Sequence, residues 1–113
     1  MVDLPVYRWD ELEEEVVKPG VRRRIVAGNK IMLVVYRIDP GEGISMHNHP
    51  HEQMGYIVEG EAEFEIGGEK TILRAGDIFH VPPNVPHAGK VIGDKPLLEI
   101  DIFHPIRENF RKK

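Results

Sequence analysis

Apolar and polar residues alternate along much of this chain with the two-residue period of half-buried strands. The clearest case sets Ala62, Phe64 and Ile66 on one face against Glu61, Glu63 and Glu65 on the other. The same reading predicts strands over Val21–Ala27, Met54–Glu59, Ala62–Ile66, Glu69–Leu73, Ile78–Val81, Ala88–Ile92 and Pro96–Phe103, with a short edge strand at Val6–Trp9. Ile31–Ile38 is a continuous apolar, β-branched run, which predicts a strand buried on both faces. Asp10, with Glu13 three residues on, reads as the cap of a brief helical turn closed by Pro19-Gly20. Turns fall at Asp39-Pro40-Gly41-Glu42-Gly43, Gly60, Gly67-Gly68 and Arg74-Ala75-Gly76-Asp77, and Ile106 to Lys113 forms a short helical or extended tail. Nine or ten short strands joined by tight turns predict an all-β fold, an antiparallel β-sandwich or jelly-roll barrel.

Two strands carry charge that periodicity alone does not place. Val21–Ala27 contains Arg22, Arg23 and Arg24, read as the solvated face of an edge strand, with recruitment of an anionic ligand as the alternative. In the last strand Glu99, Asp101 and Phe103 share one face and Leu98, Ile100 and Ile102 the other. The acids suit solvent, whereas the aromatic in the same row suits the interior. Both orientations stay open on pattern alone.

Composition narrows the classes. The 113 residues predict a single domain spanning 1–113, and 41% hydrophobic with 30% charged residues is ordinary for a soluble protein. A net charge of −4 offers no general attraction to nucleic acid or anionic membrane. With no cysteine there is no disulfide, thiolate metal site or cysteine nucleophile. No apolar run approaches the roughly 20 residues of a membrane span, and Met1-Val2-Asp3-Leu4-Pro5 lacks a signal-peptide pattern, so a cytoplasmic protein is expected.

The candidate chemistry lies in His47-Asn48-His49-Pro50-His51-Glu52-Gln53 and in Pro82-Pro83-Asn84-Val85-Pro86-His87. Residues two apart in an extended segment point the same way, so His47 and His49 can aim together, and three imidazoles with a carboxamide suit a first-row transition metal. Gly41-x5-His47-x-His49-x3-Gln53-x6-Gly60 resembles the first signature of the cupin superfamily, and Gly76-x5-Pro82-x-Asn84-x2-His87 resembles the second. Gln53 stands where that pattern usually has Glu, Asn84 replaces a glycine, and Val91 replaces a closing Asn that does not bind metal. Asn tolerates the left-handed backbone region better than most residues. The resemblance implies a small jelly roll in which His47, His49, Gln53 and His87 hold one divalent transition metal. Mn, Fe, Co, Ni, Cu and Zn all suit the set. A neutral amide in place of a carboxylate favours Lewis-acid chemistry over oxygen activation. His51 is read as supporting or exposed, and His80 and His104 are given no metal role.

A narrower resemblance rests on the same two histidine stretches followed by Asp101-Ile102-Phe103-His104-Pro105-Ile106-Arg107-Glu108. Together they are similar to the pectin-degradation cupins, which convert 4,5-unsaturated uronates to linear keto sugar acids. That resemblance implies a carboxylate-bearing sugar as substrate. Asp101 would be the proton-transferring group, Arg107 a carboxylate clamp that also serves catalysis, and Phe103 a wall against the sugar. The alternatives are another metal-dependent cupin enzyme, an isomerase, cyclase or dioxygenase on a small organic acid, and a non-catalytic ligand- or metal-binding module. By analogy with small cupins a homodimer is expected, using the Ile31–Ile38 strand and the amino-terminal segment.

Overall fold

Tight turns and crossovers set the topology. The computed structural model describes residues 6–110 and contains β1 (Glu15–Lys18), β2 (Val21–Ala27), β3 (Met32–Ile38), β4 (Gly43–His47) and β5 (Glu52–Glu59). It continues with β6 (Glu61–Ile66), β7 (Glu69–Arg74), β8 (Ile78–Val81), β9 (His87–Ile92) and β10 (Leu97–His104). Gly67 and Gly68, with φ of 58° and 86°, supply the left-handed pair that a tight β6–β7 hairpin requires. Other pairings join strands distant in sequence. One sheet has the order β1-β2-β3-β10-β5-β8, the other β4-β9-β6-β7, and the registered pairs are antiparallel. This is the jelly-roll arrangement.

Register stacks the inward side chains of the larger sheet in rows. Val21, Ile38 and Leu97 form one row; Arg23, Tyr36, Glu99 and Ile57 the next. Ile25, Val34, Asp101, Gly55 and Phe79 form a third, and Ala27, Met32, Phe103, Gln53 and Val81 a fourth. The apolar members meet Ala62, Phe64, Leu73 and Val91 of the smaller sheet in one core. Met32 and Phe103, paired across β3 and β10, are fully buried, each worth about 1.5–3 kcal/mol of hydrophobic transfer. The acidic residues of β10 therefore face inward, while Ile102 is exposed on the outer side. The aromatic wins over the charges because the space beside those charges is a cavity, where carboxyl groups find polar partners.

Several expectations need correction. Val6–Trp9 is not a strand: Val6 to Arg8 is irregular and a 3-10 turn covers Trp9–Glu11. No side chain caps that turn, whose preceding residue is Arg8 rather than Asp10. The edge strand is instead β1, within the stretch read as helical. Its residues alternate too briefly to register as a pattern. It covers β2, so the arginines are not on an edge. Arg23 and Arg24 are partly buried, and all three arginines pair with acids: Arg22 with Glu14 and Asp39, Arg23 with Glu15, and Arg24 with Glu14. Ile31 and Leu33 are exposed, so the Ile31–Ile38 run is fully buried on its inner face only. The tail makes a 3-10 turn at Glu108–Phe110. Met1–Pro5, where the absence of a signal sequence was read, and Arg111–Lys113 lie outside the described residues. Among the described residues no helix is long and apolar enough to cross a membrane.

Candidate metal centre and cavity

His47 ends β4 and His87 opens β9, paired directly across the small sheet. Gln53 belongs to β5, opposite Phe103 of β10. His49 lies in the loop between β4 and β5, fixed by its carbonyl, which accepts the Asn84 N–H at 2.8 Å. Asn84 adopts φ 68°, the left-handed conformation expected from its place in the second motif. Each motif thus holds the other in place.

Backbone carbonyls set the tautomer of all three histidines. Nδ1 of His47 lies 2.8 Å from Ser45 O, Nδ1 of His49 3.0 Å from His51 O, and Nδ1 of His87 2.9 Å from Val85 O. A carbonyl only accepts, so each Nδ1 carries the hydrogen and each Nε2 is left as a lone pair. One ring nitrogen from each histidine lies within 4.8 Å of the others. Burial and the nearby charge of Arg107 depress the His49 pKa to about 4. Burial chiefly, with His47 and Arg107, lowers that of His87, so both rings are neutral at pH 7.

These atoms fit a cation. The Nε2 of His87 is buried without a hydrogen-bond partner. The Nε2 of His49 faces Oε1 of Gln53 at 3.1 Å, two acceptors opposed. Two donor atoms bound to one ion at right angles, each with a bond of about 2.1 Å, stand about 3 Å apart. Gln53 also hydrogen-bonds the Asp101 side chain, and a carboxylate can only accept, so the amide N–H₂ points to Asp101 and the oxygen to the histidines. His47, His49, Gln53 and His87 could therefore hold a divalent metal with neutral donors.

Beside them opens a cavity of about 530 Å³, counted with its open mouth. His47, Gln53, His87, Asp101, Phe103 and Arg107 all border it. Asp101 is fully buried and its Oδ1 has no partner. Burial raises its pKa, against the opposing influence of hydrogen bonds from Glu99 and Gln53 and of Arg107. The Arg107 guanidinium stacks over Phe103 and Phe110, at 5.1 Å and 4.0 Å. Every residue singled out for the site thus borders this cavity except His49, whose ring packs against those of His47, His87 and Phe103. His51 is half-buried and contributes the carbonyl that orients His49. His80 is exposed and paired with Glu52 at 2.7 Å, and His104 is exposed.

Three contributors escaped the sequence reading. Tyr36 borders the cavity and hydrogen-bonds Arg23, which in turn stacks on Phe110 at 4.1 Å. Phe110 is thereby held between two guanidiniums, a contact no local pattern encodes. Glu99 also lines the cavity. Its only sequence signal was its place in the Asp101 and Phe103 row.

The jelly roll and its convergent histidines define a cupin. A family model for the cupin domain matches residues 34–103, and the chain belongs to that family. Among its relatives is the pectin degradation protein KdgF of Dickeya dadantii (strain 3937), 33% identical over 104 residues, covering 90% of this chain and 89% of that protein. The solved structure of KdgF from Halomonas sp. has a TM-score of 0.86 and 36% identity, over 93% of this chain and 96% of that one. An RmlC-like cupin from Shewanella frigidimarina NCIMB 400 superposes with a TM-score of 0.87 and 33% identity, over 93% of this chain and 94% of its own.

Proposed function

We propose that this protein is a single-domain, metal-dependent enzyme that opens the ring of 4,5-unsaturated uronates, the monomers left by pectin and alginate cleavage. The observation that carries the reading is one cavity bordered by the histidine and Gln53 donors, by Arg107, and by a buried Asp101 with an unpartnered oxygen. The likeness to the pectin degradation protein KdgF supports a substrate that comes from pectin breakdown.

The substrate is a cyclic hemiacetal whose ring oxygen is also an enol-ether oxygen at C5. The Asp101 carboxylate accepts the proton of the anomeric hydroxyl. As that O–H electron pair forms the C1 carbonyl, the bond from C1 to the ring oxygen breaks, and its pair stays on that oxygen as an enolate across C4 and C5. Asp101 then returns the proton to C4, giving the C5 ketone, so that atoms and electrons balance with no co-reactant. Arg107, pre-oriented by its two aromatic neighbours, meets the C6 carboxylate with its planar fork of donors. Phe103 packs against the sugar and excludes water. A divalent metal held by His47, His49, Gln53 and His87 would supply Lewis acidity that stabilises the enolate.

Loss of ultraviolet absorbance from the conjugated enol ether reports the reaction. Metal-loaded protein accelerates it over the spontaneous rate, and Asp101→Asn abolishes the acceleration while metal stays bound. No acceleration by fully metallated protein refutes the ring-opening reading. The reading also includes a homodimer, formed through the outer face of the six-stranded sheet, where Leu33, Met54, Tyr56, Ile78 and Ile102 are exposed.

A further inference from the structure

The reaction above leaves one buried acid without a task. Glu99 is 6% exposed and borders the cavity two residues before Asp101, on the same inner face of β10. Among the described residues it has no ion pair with any cation. Its partner is another carboxyl, the side chain of Asp101. Leaving such a group in a core is costly, so its retention calls for a physical reason.

Carboxylates only accept hydrogen bonds, so a carboxyl–carboxyl contact must contain a proton. Asp101 also accepts from the Gln53 amide, and it can do so whichever acid holds the shared proton, because a protonated carboxyl keeps an oxygen that accepts. Burial and the neighbouring Asp101 raise the Glu99 pKa, which agrees with a proton held between the two. The consequence runs outward. With Asp101 fixed, the Gln53 nitrogen is committed to it and the Gln53 oxygen lies 3.1 Å from Nε2 of His49. Were Asp101 free to rotate, the amide could turn and present N–H₂ to the histidines, and an N–H₂ group cannot ligate a metal.

We propose that Glu99 is a positioning residue: its carboxyl shares a proton with Asp101 and, through Asp101, locks the Gln53 amide with its oxygen toward His47, His49 and His87. The proposal rests on the metal reading of those residues and not on the identity of the substrate. It separates Glu99 from the acids that face solvent on other strands.

The test uses Co²⁺ as probe on the full chain, with affinity from chelator competition and the visible spectrum of the bound ion as the coordination signature. Glu99→Leu removes the carboxyl while keeping bulk. Its melting temperature is read alongside, so that loss of metal binding is scored only on protein that is folded at the assay temperature. Its Co²⁺ affinity should fall at least about tenfold, the usual effect of removing a group that orients a ligand, and its spectrum should change. Glu99→Gln keeps an N–H toward Asp101 and should retain both affinity and spectrum. Glu99→Met serves in place of the leucine variant if that one does not fold. A leucine or methionine variant with wild-type affinity and spectrum overturns the proposal, as does an equal loss in Glu99→Gln. Because no sugar is present, failure of the ring-opening reading leaves these outcomes unaffected. Wild-type protein that binds no Co²⁺ overturns the metal reading and this proposal with it.

Discussion

Gly55 offers a test of the inner packing in which local propensity and tertiary structure predict opposite signs. It lies on β5, facing Asp101 on β10 and Phe79 on β8. A Cβ placed there would stand 2.2 Å from two ring carbons of Phe79 and 2.7 Å from Oδ1 of Asp101. Carbon atoms in contact prefer about 3.5–4.0 Å, so the ring or a strand must move by more than about 1 Å. Propensity favours alanine, since glycine inside a strand is about 0.5–1 kcal/mol worse. Overpacking costs about 1–3 kcal/mol, and an overlap this deep belongs in the upper half of that range, which leaves Gly55→Ala destabilised by roughly 1–2.5 kcal/mol. At about 2.1 cal/mol/K of unfolding entropy per residue, a 113-residue chain has about 0.24 kcal/mol/K, so the melting temperature should drop by about 4–10 °C. Thermal melts of metal-free protein measure this. Turnover should fall as well, because the displaced carboxylate is the proposed base. A variant as stable as wild type, or more so, would refute the packing of Phe79 and Asp101 over Gly55.

Metal loading should stabilise the fold. An ion at 100 times its dissociation constant contributes about 2.7 kcal/mol, or about 11 °C on the same entropy, and His87→Ala should abolish the shift in a calorimetric scan. Glu99 keeps its proton to higher pH folded than unfolded. Its stabilisation of metal-free protein is therefore complete below about pH 4 and is lost as pH rises toward its raised folded value. Asp101, raised to about 6 and in contact with Glu99, loses its contribution in the same direction, so the two acids are read together. Urea melts at several pH values should show Glu99→Gln losing less stability over that rise than wild type does; equal slopes would count against a proton shared by Glu99 and Asp101. His49, with its folded pKa depressed to about 4, contributes the opposite slope, lost as pH falls from about 6.5, but it does so in both proteins and cancels in the comparison. The proposed dimer predicts that Ile102→Lys, in the middle of the exposed apolar face, sediments as a monomer where wild type sediments as a dimer.

Strands with a strong period were legible from sequence. Ala62, Phe64 and Ile66 face inward as the pattern required, and β8 covers Ile78–Val81 as expected. What escaped was decided by neighbours. β1 is too short to show a period and exists because it can pair with β2. The orientation of β10 turned on a cavity that only the assembled barrel creates. The metal-site candidates could be read because two residues apart in an extended segment is a local relation, and paired loops bring the remainder together. Glu99, Tyr36 and Phe110 depend on cross-strand rows and on a tail folding back, which no window of sequence contains.

The hydrogen bond from Asn84 N–H to His49 O has a consequence for engineering. It joins two loops whose residues are otherwise far apart in sequence, so the segment from His47 to Gln53 and the segment from Pro82 to His87 behave as one removable part. Moving either loop alone into another barrel would carry the donor atoms without the peptide group that aims them. A transplant of both, with the left-handed Asn84 retained, would bring its own alignment along.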